Sequence, residues 1–296
     1  MRKISQLILL ILYALFLVAC SSKGEQFTTV HNTTIEADSG ISPKKDYPNN
    51  VLRIATLNIA HGRKESFSQF LLSKNTIQEN LNDIADVINK YKPQIVAFQE
   101  ADSTESFNHV KYIASQSQYP WRVQVSNVDF SQFSYGTALL SVLPMDETIK
   151  HTFTPSPPTL SKGFVLAQIE WPIANTNTTK KIDIISVHLD FSRKSVREKQ
   201  IKEMLNILSA RNNPTVIMGD FNSEWLTDEA VIKELSTKSR FTLYKPESST
   251  HNTYKNKRLD WILITKELEF TEYKVLPDTL SDHAIVIGEI RFKVDS

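Results

Sequence analysis

Polar residues of a few types punctuate the ends of the chain's apolar runs. Arg53-Ile54-Ala55-Thr56-Leu57 leads to Asn58, and Gln94-Ile95-Val96-Ala97-Phe98-Gln99 leads to Glu100. Ile182-Asp183-Ile184-Ile185-Ser186-Val187 closes on His188 and Asp190. Thr215-Val216-Ile217-Met218-Gly219 closes on Asp220 and Asn222. Two runs are reversed: Asp260 opens Trp261-Ile262-Leu263-Ile264, and Asp282-His283 opens Ala284-Ile285-Val286-Ile287. If these last two runs lie antiparallel to the earlier ones, all six ends share one rim. Carboxylates crowded on one rim repel each other. A hard divalent cation turns that crowding into binding, because oxygen ligands suit Mg²⁺ or Mn²⁺.

The elements that must position these residues read as strands alternating with a few helices. Strand-length apolar runs cover Leu52–Ile59, Gln94–Phe98, Tyr119–Val125, Tyr135–Val142, Phe164–Trp171, Ile182–Leu189, Thr215–Met218, Leu259–Thr265, Glu269–Leu276 and Ala284–Phe292. Ile77, Leu81, Ile84, Ala85 and Ile88 recur at helical spacing, with Pro93 following. Val196, Ile201, Leu205 and Leu208 mark a second helix. Strands outnumber helices, which predicts mixed sheets packed together with helices outside.

The composition permits a large core: 41% of the 296 residues are hydrophobic and 23% charged, which excludes global disorder. The formal charge of +1 gives no global field for nucleic acid or an anionic membrane. The single cysteine, Cys20, excludes an intramolecular disulfide and a cysteine-based zinc site. Arg2 and Lys3 precede an uncharged apolar run, Leu7 to Ala19, of signal-peptide length. The run ends in Leu17-Val18-Ala19-Cys20, which resembles a bacterial lipobox, so residues 1–19 are expected to be removed and Cys20 lipidated. Removal takes Arg2 and Lys3 away and leaves the remainder near −1. Residues 20–50 are polar and lack hydrophobic periodicity, which predicts a tether. Residues 51–296 are expected to form one domain, monomeric, held in the cell envelope outside the cytoplasm. That places it at the outer membrane if the cell has one.

Seven motifs in order carry a resemblance: Thr56-Leu57-Asn58, Gln99-Glu100, Gly136-Thr137-Ala138-Leu139-Leu140-Ser141, Ser186-Val187-His188-Leu189, Gly219-Asp220-Phe221-Asn222, Leu259-Asp260-Trp261-Ile262 and Ser281-Asp282-His283. Over residues 51–293 the sequence resembles the endonuclease/exonuclease/phosphatase superfamily of metal-dependent phosphohydrolases. The resemblance implies an α/β fold, a four-layered sandwich of two mixed sheets flanked by helices. It implies a Mg²⁺- or Mn²⁺-dependent hydrolase of phosphate esters, with Glu100 and Asn58 as metal ligands. Asp220 would accept a proton from water, and Asn222 would orient that water or the phosphate. Asp260 and His283 would form a carboxylate–imidazole pair, with Asp282 assisting a metal or orienting the pair. His188 would contact phosphate or donate a proton to the leaving group.

Other residues divide between site and scaffold. His61, in Asn58-Ile59-Ala60-His61-Gly62, resembles an Asn-x-x-His-Gly of some members and could line the site. Tyr135 reads as core before site, although its hydroxyl could reach a phosphate. Arg197 is either a rim contact or part of a charged helix face. Arg258, with Lys255 and Lys257, forms a short basic cluster able to bind phosphate or simply solvated. Asp190 reads as a solvated neighbour of His188, and His31, His109 and His151 as surface residues. The substrate stays open among nucleic acid, a phospholipid head group and a small organophosphate. Near-neutral charge weighs against duplex DNA. The non-enzymatic alternative is an inactive surface lipoprotein that uses the fold as a binding module. That reading predicts eroded catalytic positions, and Asn58, Glu100, His188, Asp220, Asn222, Asp260 and His283 are all present.

Overall fold

The computed structural model describes residues 35–38, 40, 51–173, 178–228, 230–237 and 239–293. The lipobox, most of the tether and His31 lie outside the described residues. The chain builds β1 (Glu36–Ala37), β2 (Leu52–Asn58), α1 (Lys74–Tyr91), β3 (Ile95–Ser103), α2 (His109–Ser117), β4 (Trp121–Phe130), β5 (Phe133–Ser141), β6 (Met145–Thr152), β7 (Gly163–Pro172), β8 (Thr179–His188), α3 (Lys194–Leu208), β9 (Thr215–Asp220), α4 (Val231–Thr237), β10 (Phe241–Leu243), β11 (Asp260–Thr265), β12 (Leu268–Val275) and β13 (Val286–Phe292). Among the described residues no helix is long and apolar enough to cross a membrane.

One sheet has seven strands in the order β1-β4-β5-β3-β2-β13-β12, and the other six in the order β10-β11-β9-β8-β7-β6. Both are mixed: β2–β3 and β8–β9 pair in parallel and their neighbours antiparallel. The four layers follow from the two-residue period of the strands. In β2, Leu52 and Ile54 face the opposing sheet, while Ala55 and Leu57 pack under α1 with Leu81, Ile84 and Ile88. In β8, Ile182 and Ile184 face inward and Ile185 and Val187 pack under α3 with Ile201 and Met204. The expected four-layered sandwich is therefore the observed fold.

This period also delivers the site. Continuing each inward-facing set toward one end gives Thr56 and Asn58 on β2, Ser186 and His188 on β8, and Asp220 after Val216 and Met218 on β9. Because β11 runs antiparallel to β9, Asp260 is directly opposite Asp220. The β13 strand likewise runs antiparallel to β2, and the loop before it brings Asp282 and His283 to the same end. The six ends do share one rim.

Three strands and two helices had no readable period: β1, β6, β10, α2 and α4; β1 falls within the stretch expected to be a tether and pairs with β4. His109 and His151, read as surface positions, are buried at 4% and 1% exposure. His109 begins α2 against the main core, and His151 Nε2 meets Glu203 of α3 at 2.7 Å, tying β6 to that helix.

Candidate active site

Glu100 reaches the centre through a bulge. Ile95 and Ala97 of β3 face the opposing sheet, and Val96, Phe98 and Ala101 face the helices. Strict alternation would turn Glu100 toward the helices. The register with β5 shifts between Phe98 and Ala101, and Glu100 takes a positive φ of 53°. One extra residue thus re-aims the carboxylate, as bulges beside functional sites do. Gln99 holds the bulge in place: its side-chain amide donates to Ser186 Oγ (3.0 Å) and Thr56 Oγ1 (3.3 Å), and Ser186 Oγ donates to Phe98 O (2.9 Å). The Thr, Gln and Ser of three motifs therefore form one buried polar bridge between the sheets.

Glycine does similar work on β9. Gly219 has φ +147°, and a Cβ there would overlap the Val187 carbonyl oxygen. Only glycine lets β9 approach β8 closely enough to set Asp220 beside His188. At Gly136, a Cβ would meet the Val125 carbonyl of the neighbouring strand, where β4 carries its own bulge.

At the centre, Asp220 is 2% exposed. Its Oδ1 accepts from Asn222 N (2.8 Å) and its Oδ2 from Asn58 Nδ2 (3.1 Å). The same Oδ2 lies 3.5 Å from His188 Nε2 and 4.0 Å from His283 Nε2. Burial, then the nearby Asp260 charge, pushes this carboxyl up to about 7, against the pull of His283 and the two hydrogen bonds. It is thus a buried base poised near neutral pH.

The two imidazoles are tuned in opposite directions. His283 Nδ1 donates to Asp260 Oδ2 at 2.8 Å. Burial opposes its charge, but Asp260 outweighs burial and raises His283 to about 10, so the ring is a cation with Nε2–H directed toward Asp220. His188 is fully buried, and burial with the adjacent Lys162 holds it well below 6.5. Lys162 Nζ stands 3.4 Å from His188 Nδ1. An ammonium has only donors, so Nδ1 is the acceptor and the proton of neutral His188 sits on Nε2.

Glu100 is ringed by basic side chains. Lys162 Nζ is at 3.8 Å, His61 Nε2 at 3.3 Å and His188 Nε2 at 4.0 Å. Burial works to raise its pKa, and Lys162, His188, His61 and His283 together bring it down to about 2. His61 Nδ1 contacts Asp102 Oδ1 at 2.5 Å, and its ring meets Tyr135 edge-on at 4.7 Å. Tyr135 is buried, and burial with Glu100 and Asp102 keeps its phenol protonated.

The structure therefore brings together Asn58, Glu100, His188, Asp220, Asn222, Asp260 and His283, with His61 and Tyr135 alongside. Four other positions sit differently. Asp282 pairs with Arg63 Nη2 at 2.5 Å, which ties the loop carrying His283 to the loop after β2. Arg197 is neither a rim contact nor on a charged face: it is 3% exposed and its Nη1 donates to Asp190 O. Arg258 is also built in. Its guanidinium stacks 3.9 Å over Trp261 and donates to Tyr244 O and Lys245 O, so it serves the fold rather than a phosphate. Asp190 is 1% exposed and not solvated; its Oδ1 accepts from Ser192 N and Arg193 N where α3 begins.

Three residues escaped the sequence reading. Lys162 precedes Gly163, which pairs with His188 across β7–β8, so only the strand register reveals it. Asp102 follows Glu100 by two residues, a same-face spacing that was legible. Arg63 had no signal beyond its place near Asn58.

The model of the Endonuclease/Exonuclease/phosphatase family matches residues 55–283. The chain belongs to the endonuclease/exonuclease/phosphatase family. No curated protein matches it significantly in sequence. Among solved structures, an endonuclease/exonuclease/phosphatase family protein from Leptotrichia buccalis C-1013-b is 21% identical, with TM-score 0.64 over 81% of this chain and 100% of that one. The human Nocturnin catalytic domain with bound sulfate is 19% identical, with TM-score 0.60 over 82% of this chain and 94% of that one. A mannosyl-6-phosphatase from Bacteroides thetaiotaomicron is 16% identical, with TM-score 0.61 over 81% and 100%. These likenesses establish a shared fold. Membership in the endonuclease/exonuclease/phosphatase family makes the chain a phosphoesterase-type hydrolase, of a class that typically uses divalent metals.

The donor set fits such a metal. Carboxylates of Glu100, Asp220 and Asp260, all hard ligands, come to this rim from three strands. The Asn58 amide nitrogen faces Asp220 Oδ2 while its oxygen accepts from Ala60 N, so that oxygen would meet an ion only with the amide turned over. Asp220, Asp260 and His283 present ligand atoms within 4.8 Å of one another, and Asp260 Oδ1 is buried without a hydrogen-bond partner.

Proposed function

We propose that this chain is a Mg²⁺- or Mn²⁺-dependent phosphodiesterase that works outside the cytoplasm, anchored through lipid on Cys20. The observation that carries the catalytic reading is the pairing of a buried base, Asp220, with an imidazolium, His283, held by its own carboxylate, Asp260. Asp220 takes the proton of the attacking water through Oδ2. His283 keeps Nε2–H as a charged donor for a phosphoryl oxygen, and neutral His188 offers Nε2–H to a second oxygen or the leaving group. Glu100 and Asn58 would hold the ion, which when bound neutralises phosphoryl charge and acidifies water. Lys162 and His61 balance the Glu100 charge from either side.

Bis(p-nitrophenyl) phosphate tests this reading. Hydrolysis should stop in excess EDTA and return with Mg²⁺ or Mn²⁺, and Glu100→Gln should raise the metal concentration needed. Turnover unaffected by chelator would refute the mechanism. The anchor has its own test. Cys20→Ala should release the protein from the membrane fraction and abolish fatty-acid labelling; unchanged fractionation without labelling in either form would refute lipidation.

A further inference from the structure

Seven large apolar side chains stand exposed among the described residues, and every one lies on a connection or a strand tip at the end of the sandwich that carries the site. Phe67, Phe70 and Leu71, between β2 and α1, are 95%, 78% and 76% exposed. Phe130 ends β4 at the tip of the β4–β5 hairpin. Leu160 sits in the connection before Lys162, Phe191 in the loop after His188, and Leu226 in the loop after Asp220. Single exposed apolar residues are ordinary on any protein surface. Their confinement to the loops around one opening is not, and such patches mark contact sites. The patch is continuous with the catalytic centre. The Phe70 ring is 6.0 Å from Phe133, Phe130 stacks on Phe133 at 6.3 Å, and Phe133 lies 6.3 Å from His61, whose Nε2 faces Glu100.

We infer that these loops, led by Phe67, Phe70 and Leu71, enter the interfacial layer of a phospholipid bilayer and bring its phosphodiester head groups to the site. The inference rests on the phosphoesterase reading and narrows its substrate class. Three observations favour a bilayer over other occupants. The side chains project from five separate loops around an opening, and a folded partner seated on all of them would seal the centre. A bilayer instead supplies the phosphate ester. The intervening residues Ser66, Ser68, Gln69, Ser131 and Gln132 are uncharged, while Arg63 and Lys64 are paired with Asp282 and Asp83. A nucleic acid held by its phosphates would need unpaired basic groups there; zwitterionic head groups do not. Finally, the chain length allows it. β1 pairs Glu36 with Arg122, at the end of β4 remote from the site. The ten residues of β4 span about 33 Å. The 14 residues between the proposed Cys20 anchor and Ile35 reach up to about 50 Å when extended. Anchor and site end can therefore engage one bilayer.

The test uses the full chain with phosphatidylcholine vesicles. In a Phe70→Trp variant, brominated acyl chains should quench the added fluorescence beyond the background of the parent's four tryptophans. The triple variant Phe67→Ser/Phe70→Ser/Leu71→Ser should hydrolyse head groups in phosphatidylcholine, sphingomyelin or phosphatidylglycerol vesicles at least about tenfold more slowly, the effect of keeping even one phenyl ring in water. Its rate on bis(p-nitrophenyl) phosphate should match the parent's. Absence of quenching overturns the inference, as does a parent active on the soluble diester but on none of the lipids. Equal losses on soluble and vesicle substrates overturn it too, by showing a structural role for the loop. Fluorescence of the Phe70→Trp variant that follows protein concentration and not lipid overturns it in favour of a second copy of the chain on this face. A parent inactive on every phosphate ester refutes the phosphoesterase reading itself, and quenching still reports on the loops.

Discussion

Asp220→Asn should lower kcat by at least about a hundredfold while the protein stays folded and binds substrate much as before. The substitution keeps the shape of the side chain and leaves an oxygen to accept from Asn222 N, so the turn after β9 is retained. What it removes is the capacity to take a proton at Oδ2, between His188 and His283. Stability should move the other way. Burial and Asp260 raise the Asp220 pKa to about 7, so the folded state disfavours its ionised form. Between about pH 4 and pH 7 the folded protein holds a proton there that the unfolded chain has released. Parent stability therefore falls across that window as pH rises, and the neutral asparagine escapes the penalty. The difference in melting temperature, variant minus parent, should grow from pH 4 to pH 7 as activity is lost. A variant as active as the parent would remove Asp220 from the chemistry. A variant inactive and less stable at every pH would make the residue structural.

Much of this site was legible because strand periodicity is simple. Alternation carries Asn58, His188, Asp220 and Asp260 onto the inward faces, and antiparallel pairing of the last strands brings their opening residues to the same rim. Glu100 was found by motif and not by period. On period alone it points to the helices, and only the bulge at Phe98–Ala101 corrects the direction. Lys162 stayed hidden for the complementary reason: it precedes Gly163, whose pairing with His188 lies at the end of the β7–β8 ladder remote from the connection, and no local pattern announces that register.

Charge was the least readable property. Arg197 and Arg258 carry the same formal charge as a phosphate-binding residue, yet both are buried and spend their hydrogen bonds on backbone carbonyls. Sequence reports that a guanidinium is present; only packing reports whether it faces water. The same holds for His109 and His151, whose isolation from any motif suggested surface positions but which fill the interior. Residues of a site and residues of a scaffold are chemically identical until the backbone places them, and this chain uses both kinds at the same end of the sandwich.

The Asp260–His283 pair should behave as one unit. Asp260→Asn and His283→Ala should each cost about a hundredfold in kcat, and the double variant little more than the worse single one. The reason is electrostatic. Burial alone would strip the proton from His283, and the hydrogen bond and charge of Asp260 overcome that and hold its pKa at about 10. With the carboxylate gone, burial wins and the ring becomes neutral near pH 7. It can then no longer offer a charged donor to the phosphoryl group. The two variants should separate on pH. Lowering pH from 8 to 6 should restore part of the Asp260→Asn activity relative to the parent, since acid returns the proton that Asp260 had secured. The His283→Ala variant has no ring to protonate and should show no such recovery. Additive losses in the double variant, or identical pH profiles for the two single variants, would dissolve the pair. Losses confined to binding, in a parent with no turnover on any phosphate ester, would favour a surface protein that keeps the fold only to bind. With the pair intact, the ring stays an imidazolium up to about pH 10 while Asp220 ionises above about pH 7, and that window lets base and cation act in the same turnover.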